Sequence, residues 1–130
     1  FFFNTHFDNT GEKARHESAV LMEEKIKEIA GDNAVVFMTG DLNTTSEDKA
    51  LKPLATYLKE SGKTVKKADK TPSFNDFGRN GARLQMIDHI FYRNAEARSF
   101  NVVDEPKFGV KYISDHYPVI SEFVIEIPKH

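Results

Sequence analysis

The chain has 130 residues, of which 39% are hydrophobic, and a formal net charge of -2 at pH 7. This length suits one domain with its own core, and the charge argues against the basic surface of an unspecific nucleic-acid binder. The absence of cysteine excludes disulfides and thiolate metal sites. No apolar run reaches the roughly 20 residues that cross a bilayer.

The first half of the chain alternates strands and helices. Residues 1–7 predict a strand rich in aromatic side chains. Apolar residues recur at spacings of three and four along residues 12–30, up to Ile29, which predicts an amphipathic helix that stops at Gly31. The apolar run 34–38 predicts a strand covered on both faces.

Shorter elements are predicted in the middle of the chain. Ser46 could cap a short helical turn, and Pro53 suits the first position of a second helix that runs to about Ser61. Residues 61–73 are polar and basic, which predicts a loop whose lysines face solvent.

The second half of the chain is richer in strands. Residues 86–92 and 97–105 predict two of them, and residues 117–127 predict a long terminal strand whose alternate residues share a face. Together the two halves indicate one compact unit with a mixed β-sheet covered by helices.

Polar residues stand at the predicted strand ends. His6 ends the first strand, Asp41 and Asn43 follow the second in the sequence GDLN, and Asp115 with His116 precedes the last. Carboxylates that meet at one sheet edge repel one another unless a cation joins them. Convergence of these ends would therefore favour a hard divalent ion, with the glycine of GDLN letting its strand end sharply.

Asp88 is the carboxylate least consistent with an ordinary solvent-exposed position. It stands in an apolar strand, where loss of hydration requires a partner, and His116 is the partner we expect. His89 falls on the opposite side of that strand and is expected to be structural. Asp8 fits either the site or a cap for the helix that follows.

Each short motif also has a simpler interpretation. GDLN alone is common turn chemistry, and Asn9 or Thr10 could cap the following helix. Residues 114–118, SDHYP, could be a capped turn. A Ser-His-Asp hydrolase is disfavoured, because these three residues are contiguous and no GxSxG sequence is present.

Four segments together resemble the endonuclease/exonuclease/phosphatase superfamily, which includes deoxyribonuclease I-like nucleases, inositol polyphosphate phosphatases and sphingomyelinases. They are NTHFDN (4–9), GDLN (40–43), MIDHIF (86–91) and SDHYPV (114–119), in the family's order. The resemblance implies an α/β (α+β) fold that is half of a deoxyribonuclease I-like four-layer α/β sandwich. Residues 1–130 would be the C-terminal portion of one such domain.

The resemblance implies a catalytic role for five residues. Asp41 would activate or orient the attacking water, and Asn43 would hold the phosphate and the nucleophile. His116 would contact the scissile phosphate, with Asp88 orienting its ring. His6 would donate a proton or hydrogen bond on the leaving-group side.

The resemblance also implies Mg²⁺, with Mn²⁺ as an alternative, bound by Asp115 and Asp41. The expected reaction is in-line attack of water on a phosphoester. Arg79 and Arg83 flank the sequence NGA (80–82), just before the Asp88 strand. They are predicted to bind an anionic substrate, with Asn9 as a further substrate contact.

The family pattern includes an N-terminal half with an early Asn and a metal-binding Glu, which these 130 residues do not contain. We therefore expect a fragment of a longer polypeptide, with the missing half or a second copy packed on an apolar sheet face. The alternative is a catalytically silent binding or assembly module. Nucleic acids, phosphoinositides, sphingolipids and small phosphodiesters all stay open as substrates, and so do exported and cytoplasmic locations.

Overall fold

The computed structural model describes residues 1–79, 83–105 and 109–127. Within these ranges the main sheet has four strands, β1 (Phe2–His6), β2 (Val36–Asp41), β3 (Lys59–Glu60) and β4 (Asp88–Arg93), and the helices are α1 (Glu12–Ala30), α2 (Lys52–Tyr57) and α3 (Ser61–Thr64). The strand order is β1-β2-β4-β3, with β1 parallel to β2 and the other pairs antiparallel. The predicted fold class, a mixed sheet with helices, is confirmed.

Helix α1 packs one apolar stripe on the sheet. Ala19 and Ile26 are completely buried, and Met22 packs beside them. Ile29 was expected on this stripe, but it is 54% exposed, like Leu21. The buried stripe therefore ends at Ile26, whereas the spacing of apolar residues predicted that it would include Ile29.

The start of α1 differs from the expected cap. Gly11 is the N-cap residue and makes no side-chain capping bond, so Asn9 and Thr10 do not cap the helix. The carboxylate of Asp8 accepts hydrogen bonds from the backbone N–H of Thr10 at 3.1 Å and of Gly11 at 2.5 Å. These bonds lower the pKa of Asp8, that of Gly11 contributing most. Asp8 thus stabilises the turn before the helix.

The segment around α2 folds into shorter pieces than predicted. A 3-10 turn precedes α2, and its cap is Asp48, whose side chain accepts from the N–H of Ala50, rather than Ser46. Pro53 lies in the first turn of α2 but is its second residue, one position later than predicted. The helix ends before Ser61 because the chain straightens into β3, which pairs with β4. The predicted loop after it begins with the single turn α3.

The two predicted C-terminal strands are each split in two. Among the described residues they form β5 (Glu96–Ala97), β6 (Asn101–Val102), β7 (Val119–Ile120) and β8 (Phe123–Val124), paired β5 with β8 and β6 with β7. Between the pairs, the N–H of Glu122 donates to the Ser99 hydroxyl at 3.0 Å instead of to a backbone carbonyl. The expected alternation holds from residue 119 to residue 124, since residues 119, 121 and 123 are half-buried and residues 120, 122 and 124 are exposed. It fails beyond β8, where Ile125 and Ile127 were expected on the first face but are 48% and 83% exposed.

Apolar residues pack on both faces of the main sheet. Val36, Met38 and Phe91 are buried under α1 and α2. On the other face, the ring of Phe123 lies 4.7 Å from that of Phe37 and 5.0 Å from that of Tyr92. Strand β2 thus has apolar side chains packed on both of its faces, as predicted, although Phe37 is only half-buried. It is also an internal strand of the sheet, between β1 and β4.

Several large apolar side chains stay at the surface. Phe2 is 67% exposed on β1, and Ile120 and Val124 are 53% and 47% exposed on the outer side of the C-terminal strands. None of the helices in the described ranges has the length and apolar character needed to cross a membrane.

Candidate active site

Three strands bring polar side chains together at one edge of the main sheet. His6 pairs in register with Asp41 across β1 and β2, and Asp41 pairs with Asp88 across β2 and β4. Parallel strands β1 and β2 end at this edge and antiparallel β4 begins there, which is why residues distant in sequence become neighbours. Open α/β sheets bind ligands at this type of edge.

Asp41 lies between two imidazoles. Its Oδ2 is 3.3 Å from Nε2 of His6 and 3.5 Å from Nε2 of His116. The side chain of Asp41 is 19% exposed and that of His116 is 25% exposed, whereas that of His6 is 72% exposed. The cluster therefore has a sheltered side, at Asp41 and His116, and an open side at His6.

Asp88 holds the second nitrogen of His116. Nδ1 of His116 is 2.7 Å from Oδ2 of Asp88. Burial alone would lower the pKa of His116, but the hydrogen bond with Asp88 and the charges of Asp88, Asp41 and Asp115 outweigh it and raise that pKa. The carboxylates thus favour the protonated form of the imidazole.

The turn after β2 presents Asn43 in an unusual conformation. Asn43 has φ of 52°, its N–H donates to Asp41 Oδ1 at 2.9 Å, and its side-chain amide donates to Phe7 O at 2.7 Å. Gly40 does not end the strand, as the sequence suggested, but lies within β2. A Cβ at Gly40 would be 2.1 Å from Thr5 O, so the glycine is needed for the close approach of β1.

A short segment with no sequence-predicted role joins Asp88 to His116. The buried hydroxyl of Ser73 accepts from the N–H of Ile87 at 3.0 Å and of Asp88 at 3.2 Å, and Ser73 O accepts from Tyr117 N at 2.8 Å. Phe74 bridges to His116 and packs against its ring. A serine followed by an aromatic residue at the end of a polar segment was the sequence signal, and it is a weak one.

An open cleft of about 1120 Å³ lies over this edge. It is lined by His6, Phe7, Asp8, Asn9, Asp41, Asn43, Phe74, Arg83, Gln85, Ile87, Asp115 and His116. Of the two predicted substrate-binding arginines, only Arg83 lines it. Arg79 lies elsewhere, with Nη1 3.6 Å from Asp76 Oδ1 and its guanidinium 5.7 Å from the centre of the Phe77 ring.

The chain was compared with known proteins. A family model, described as Endonuclease/Exonuclease/phosphatase family, matches residues 3–116. The chain belongs to the endonuclease/exonuclease/phosphatase family. The comparison with curated proteins found no match.

Solved members of the endonuclease/exonuclease/phosphatase family are similar over nearly the whole chain. An endonuclease/exonuclease/phosphatase from Bacteroides vulgatus is 33% identical to this chain, with a TM-score of 0.80. The match covers 95% of this chain and 50% of the Bacteroides vulgatus chain. A mannosyl-6-phosphatase from Bacteroides thetaiotaomicron is 30% identical with a TM-score of 0.78, covering 95% and 51%. Danio rerio TDP2 in complex with a single-strand DNA product, at 17% identity and a TM-score of 0.73, shares the fold. The chain spans about half the length of these proteins.

The endonuclease/exonuclease/phosphatase family is generally metal-dependent, and the donors here suit a divalent cation. Asp41, Asp88 and His116 offer ligand atoms that all lie within 4.8 Å of one another. Mg²⁺ is commonly held by one or two carboxylates together with water and substrate oxygens. Asp115, predicted as a ligand, lines the cleft but is not in this group.

His89 belongs to a second cluster, below the cleft. Its side chain is completely buried, with Nδ1 2.6 Å from Oε1 of Glu60 and Nε2 2.8 Å from Thr44 O. Burial alone would lower the pKa of His89, but Glu60 and Thr44 O reverse this and raise it. Burial alone would likewise raise the pKa of Glu60, but His89 lowers it. The contact between the two groups therefore favours the ionised form of the pair over the neutral form.

Proposed function

We propose that this chain supplies catalytic residues of a metal-dependent phosphoester hydrolase. The observation that carries the proposal is the position of Asp41, whose Oδ2 lies 3.3 Å and 3.5 Å from two imidazole nitrogens at the floor of an open cleft. A carboxylate between two titratable rings suits proton transfer to and from water and a leaving oxygen. Membership of the endonuclease/exonuclease/phosphatase family supports the same reaction class.

The two histidines would act at different points of the reaction. Asp88 accepts from Nδ1 of His116, which directs Nε2 toward the cleft and stabilises the imidazolium beside a phosphoryl oxygen. His6 is exposed and unconstrained by a second carboxylate among its described contacts, so it can protonate the leaving oxygen. Asp41 would take a proton from the attacking water.

The remaining cleft residues would bind the substrate. The Asn43 amide is fixed at the sheet edge, and Arg83 and Asn9 line the same cleft. A divalent cation bound by Asp41 and Asp115 would supply charge neutralisation on the phosphoryl oxygens and lower the pKa of water. Arg79 also remains a candidate, although it pairs with Asp76 outside the cleft lining.

We further propose that residues 1–130 are one portion of a larger catalytic domain. The solved relatives are about twice as long, and the chain covers 49% to 51% of three that are at least 30% identical to it. The exposed apolar residues Phe2, Ile120 and Val124 would pack against the rest of the domain or against a second copy. Nucleic acid is a possible substrate, but the net charge of -2 gives no support for it.

The test uses the complete gene product that carries these residues, whether or not it extends beyond them. Hydrolysis of p-nitrophenyl phosphate, bis-p-nitrophenyl phosphate and mannose 6-phosphate is measured with Mg²⁺, with Mn²⁺ and with a chelator. Mannose 6-phosphate is included because the Bacteroides thetaiotaomicron relative is a mannosyl-6-phosphatase.

The proposal expects hydrolysis of at least one ester that stops with the chelator and returns with added Mg²⁺. The relative rates then separate monoesterase from diesterase activity. A folded protein that hydrolyses none of the three esters with either metal would contradict the proposal and favour the silent binding module.

A further inference from the structure

The buried pair of His89 and Glu60 lies directly under the turn that carries Asn43. Both ring nitrogens of His89 face acceptors, a carboxylate at 2.6 Å and the carbonyl of Thr44 at 2.8 Å. A backbone carbonyl can only accept, so Nε2 of His89 must carry a proton to form this bond. The proton on Nε2 of His89 is thus held by the turn and not by solvent.

Glu60 connects the same pair to the other side of the turn. It is 8% exposed, and its Oε1 also accepts from the hydroxyl of Ser46 at 2.8 Å. Residues 44 and 46 are therefore both hydrogen-bonded to one buried histidine–carboxylate pair, whose members come from the adjacent strands β3 and β4. Strands β3 and β4 thereby hold the turn at Thr44 and at Ser46.

Asn43 itself is in a backbone conformation that its hydrogen-bonded neighbours stabilise. Its φ of 52° is in the left-handed region, which most residues other than glycine disfavour and which asparagine adopts more readily than they do. The bonds from Asn43 to Asp41 and to Phe7 act on the cleft side. The attachment of Thr44 by His89 acts from the opposite side.

We propose that His89 and Glu60 are positioning residues that fix the turn at residues 42–46 and hence the Asp41 carboxylate and the Asn43 amide. They lie beneath the cleft and act through Thr44 and Ser46, without touching the substrate. This inference rests on the proposed function for its catalytic consequence, but its structural content can be measured without activity.

The first test needs no substitution. In ¹⁵N,¹³C-labelled protein, a scalar coupling across the hydrogen bond between His89 Nε2 and the Thr44 carbonyl carbon is measured by NMR. The inference expects a detectable coupling and a protonated Nε2. A His89 ring that is unprotonated at Nε2 would overturn it.

The second test compares three variants by amide hydrogen exchange. His89→Leu removes both bonds, whereas Glu60→Gln keeps an oxygen that can accept from His89 Nδ1. Tyr92→Phe is the control. It removes a partly buried hydrogen bond of 2.7 Å between the hydroxyls of Tyr92 and Thr64, and Tyr92 lies on the same strand as His89 but away from the turn.

In His89→Leu, the inference expects the exchange rates of the Leu42 and Asn43 amides to increase about tenfold more than those of the core amides. Protection should be kept in Glu60→Gln and in Tyr92→Phe. Unchanged Asn43 protection in a folded His89→Leu variant, or equal loss in Tyr92→Phe, would overturn it. If His89→Leu does not fold, the scalar coupling decides.

Kinetics of the complete gene product provide a readout that a purely structural role would not move. Below the unfolding temperature, His89→Leu should lower kcat more than it raises KM, because the turn that holds the Asp41 carboxylate and the Asn43 amide loosens while Arg83 and Asn9 still line the cleft. Equal kcat in His89→Leu and Tyr92→Phe would contradict the positioning role. Absence of hydrolysis by the unaltered protein would instead contradict the proposed function, and the exchange measurement would stand independently of it.

Discussion

The contact between Asp88 and His116 controls the charge of the imidazole that faces the cleft. The 2.7 Å hydrogen bond and the neighbouring carboxylates raise the pKa of His116 against the opposing effect of burial. A raised pKa in the folded protein means that this pairing stabilises the fold fully below the unfolded pKa of His116. That contribution is lost as the pH rises through the raised pKa.

Replacing Asp88 by Asn tests this coupling. The pKa of His116 should fall, because the charge and the acceptor that favour the imidazolium are removed, and an NMR titration of the His116 ring measures it. Asp88→Asn should lower the free energy of unfolding more at about pH 5 to 6, below the ordinary pKa of histidine, than at alkaline pH. An unchanged His116 pKa, or a larger destabilisation at high pH, would show that Asp88 does not set the charge.

At the scale of elements, the site depends on how closely β1 approaches β2. A Cβ at Gly40 would lie 2.1 Å from Thr5 O, which leaves no room for a side chain, whereas a Cβ at Gly62 would meet only the Phe100 ring at 3.7 Å. Gly40→Ala should lower the free energy of unfolding by about 1–3 kcal/mol or more, as overpacking does, and separate His6 from Asp41. Urea denaturation measures this, with Gly62→Ala as the control. Equal stability of the two variants would refute the account.

The segment around Ser73 gives a second prediction for the elements. Ser73→Ala leaves the N–H groups of Ile87 and Asp88 without their buried acceptor, which should destabilise the protein by about 1–3 kcal/mol. It should also lower the rate of hydrolysis, since the start of β4 carries Asp88. Thr56→Ala is the control, because that hydroxyl bonds to carbonyls of its own helix at the surface. A stable Ser73→Ala variant with full activity would be inconsistent with this role.

The elements that could be predicted are those with strong local signals. Helix α1 has a clear apolar period, and β2 and β4 are apolar runs, so their existence followed from the sequence. β3 and α3 could not be found, because a two-residue strand is defined by its pairing with β4 and not by its own residues. The ends of β1, β2 and β4 indicated the candidate site, but Ser73 and Glu60 reach it only through tertiary contacts.

At the scale of the whole molecule, the exposed apolar residues of the C-terminal strands call for a covering surface. Ile120 and Val124 are 53% and 47% exposed, and the solved relatives have about twice the length of this chain. The isolated chain should therefore associate as its concentration rises, and the double change Ile120→Thr, Val124→Thr should weaken this in sedimentation velocity. Leu21→Gln with Ile29→Gln on the outside of α1 is the matched control, since both are 54% exposed. A monomer at high concentration would refute the prediction.

The central claim is that Asp41 and His116 perform phosphoester hydrolysis. The most direct measurement is the rate of Mg²⁺-dependent hydrolysis by the complete gene product, with Asp41→Asn, His116→Ala and the surface control Glu17→Gln compared on the ester that is cleaved best. We predict a rate lower by about 10²–10⁴-fold in each of the first two variants and no change in the control, as for loss of a general acid or base. Rates within a few fold of the unaltered protein in folded Asp41→Asn or His116→Ala would contradict the account.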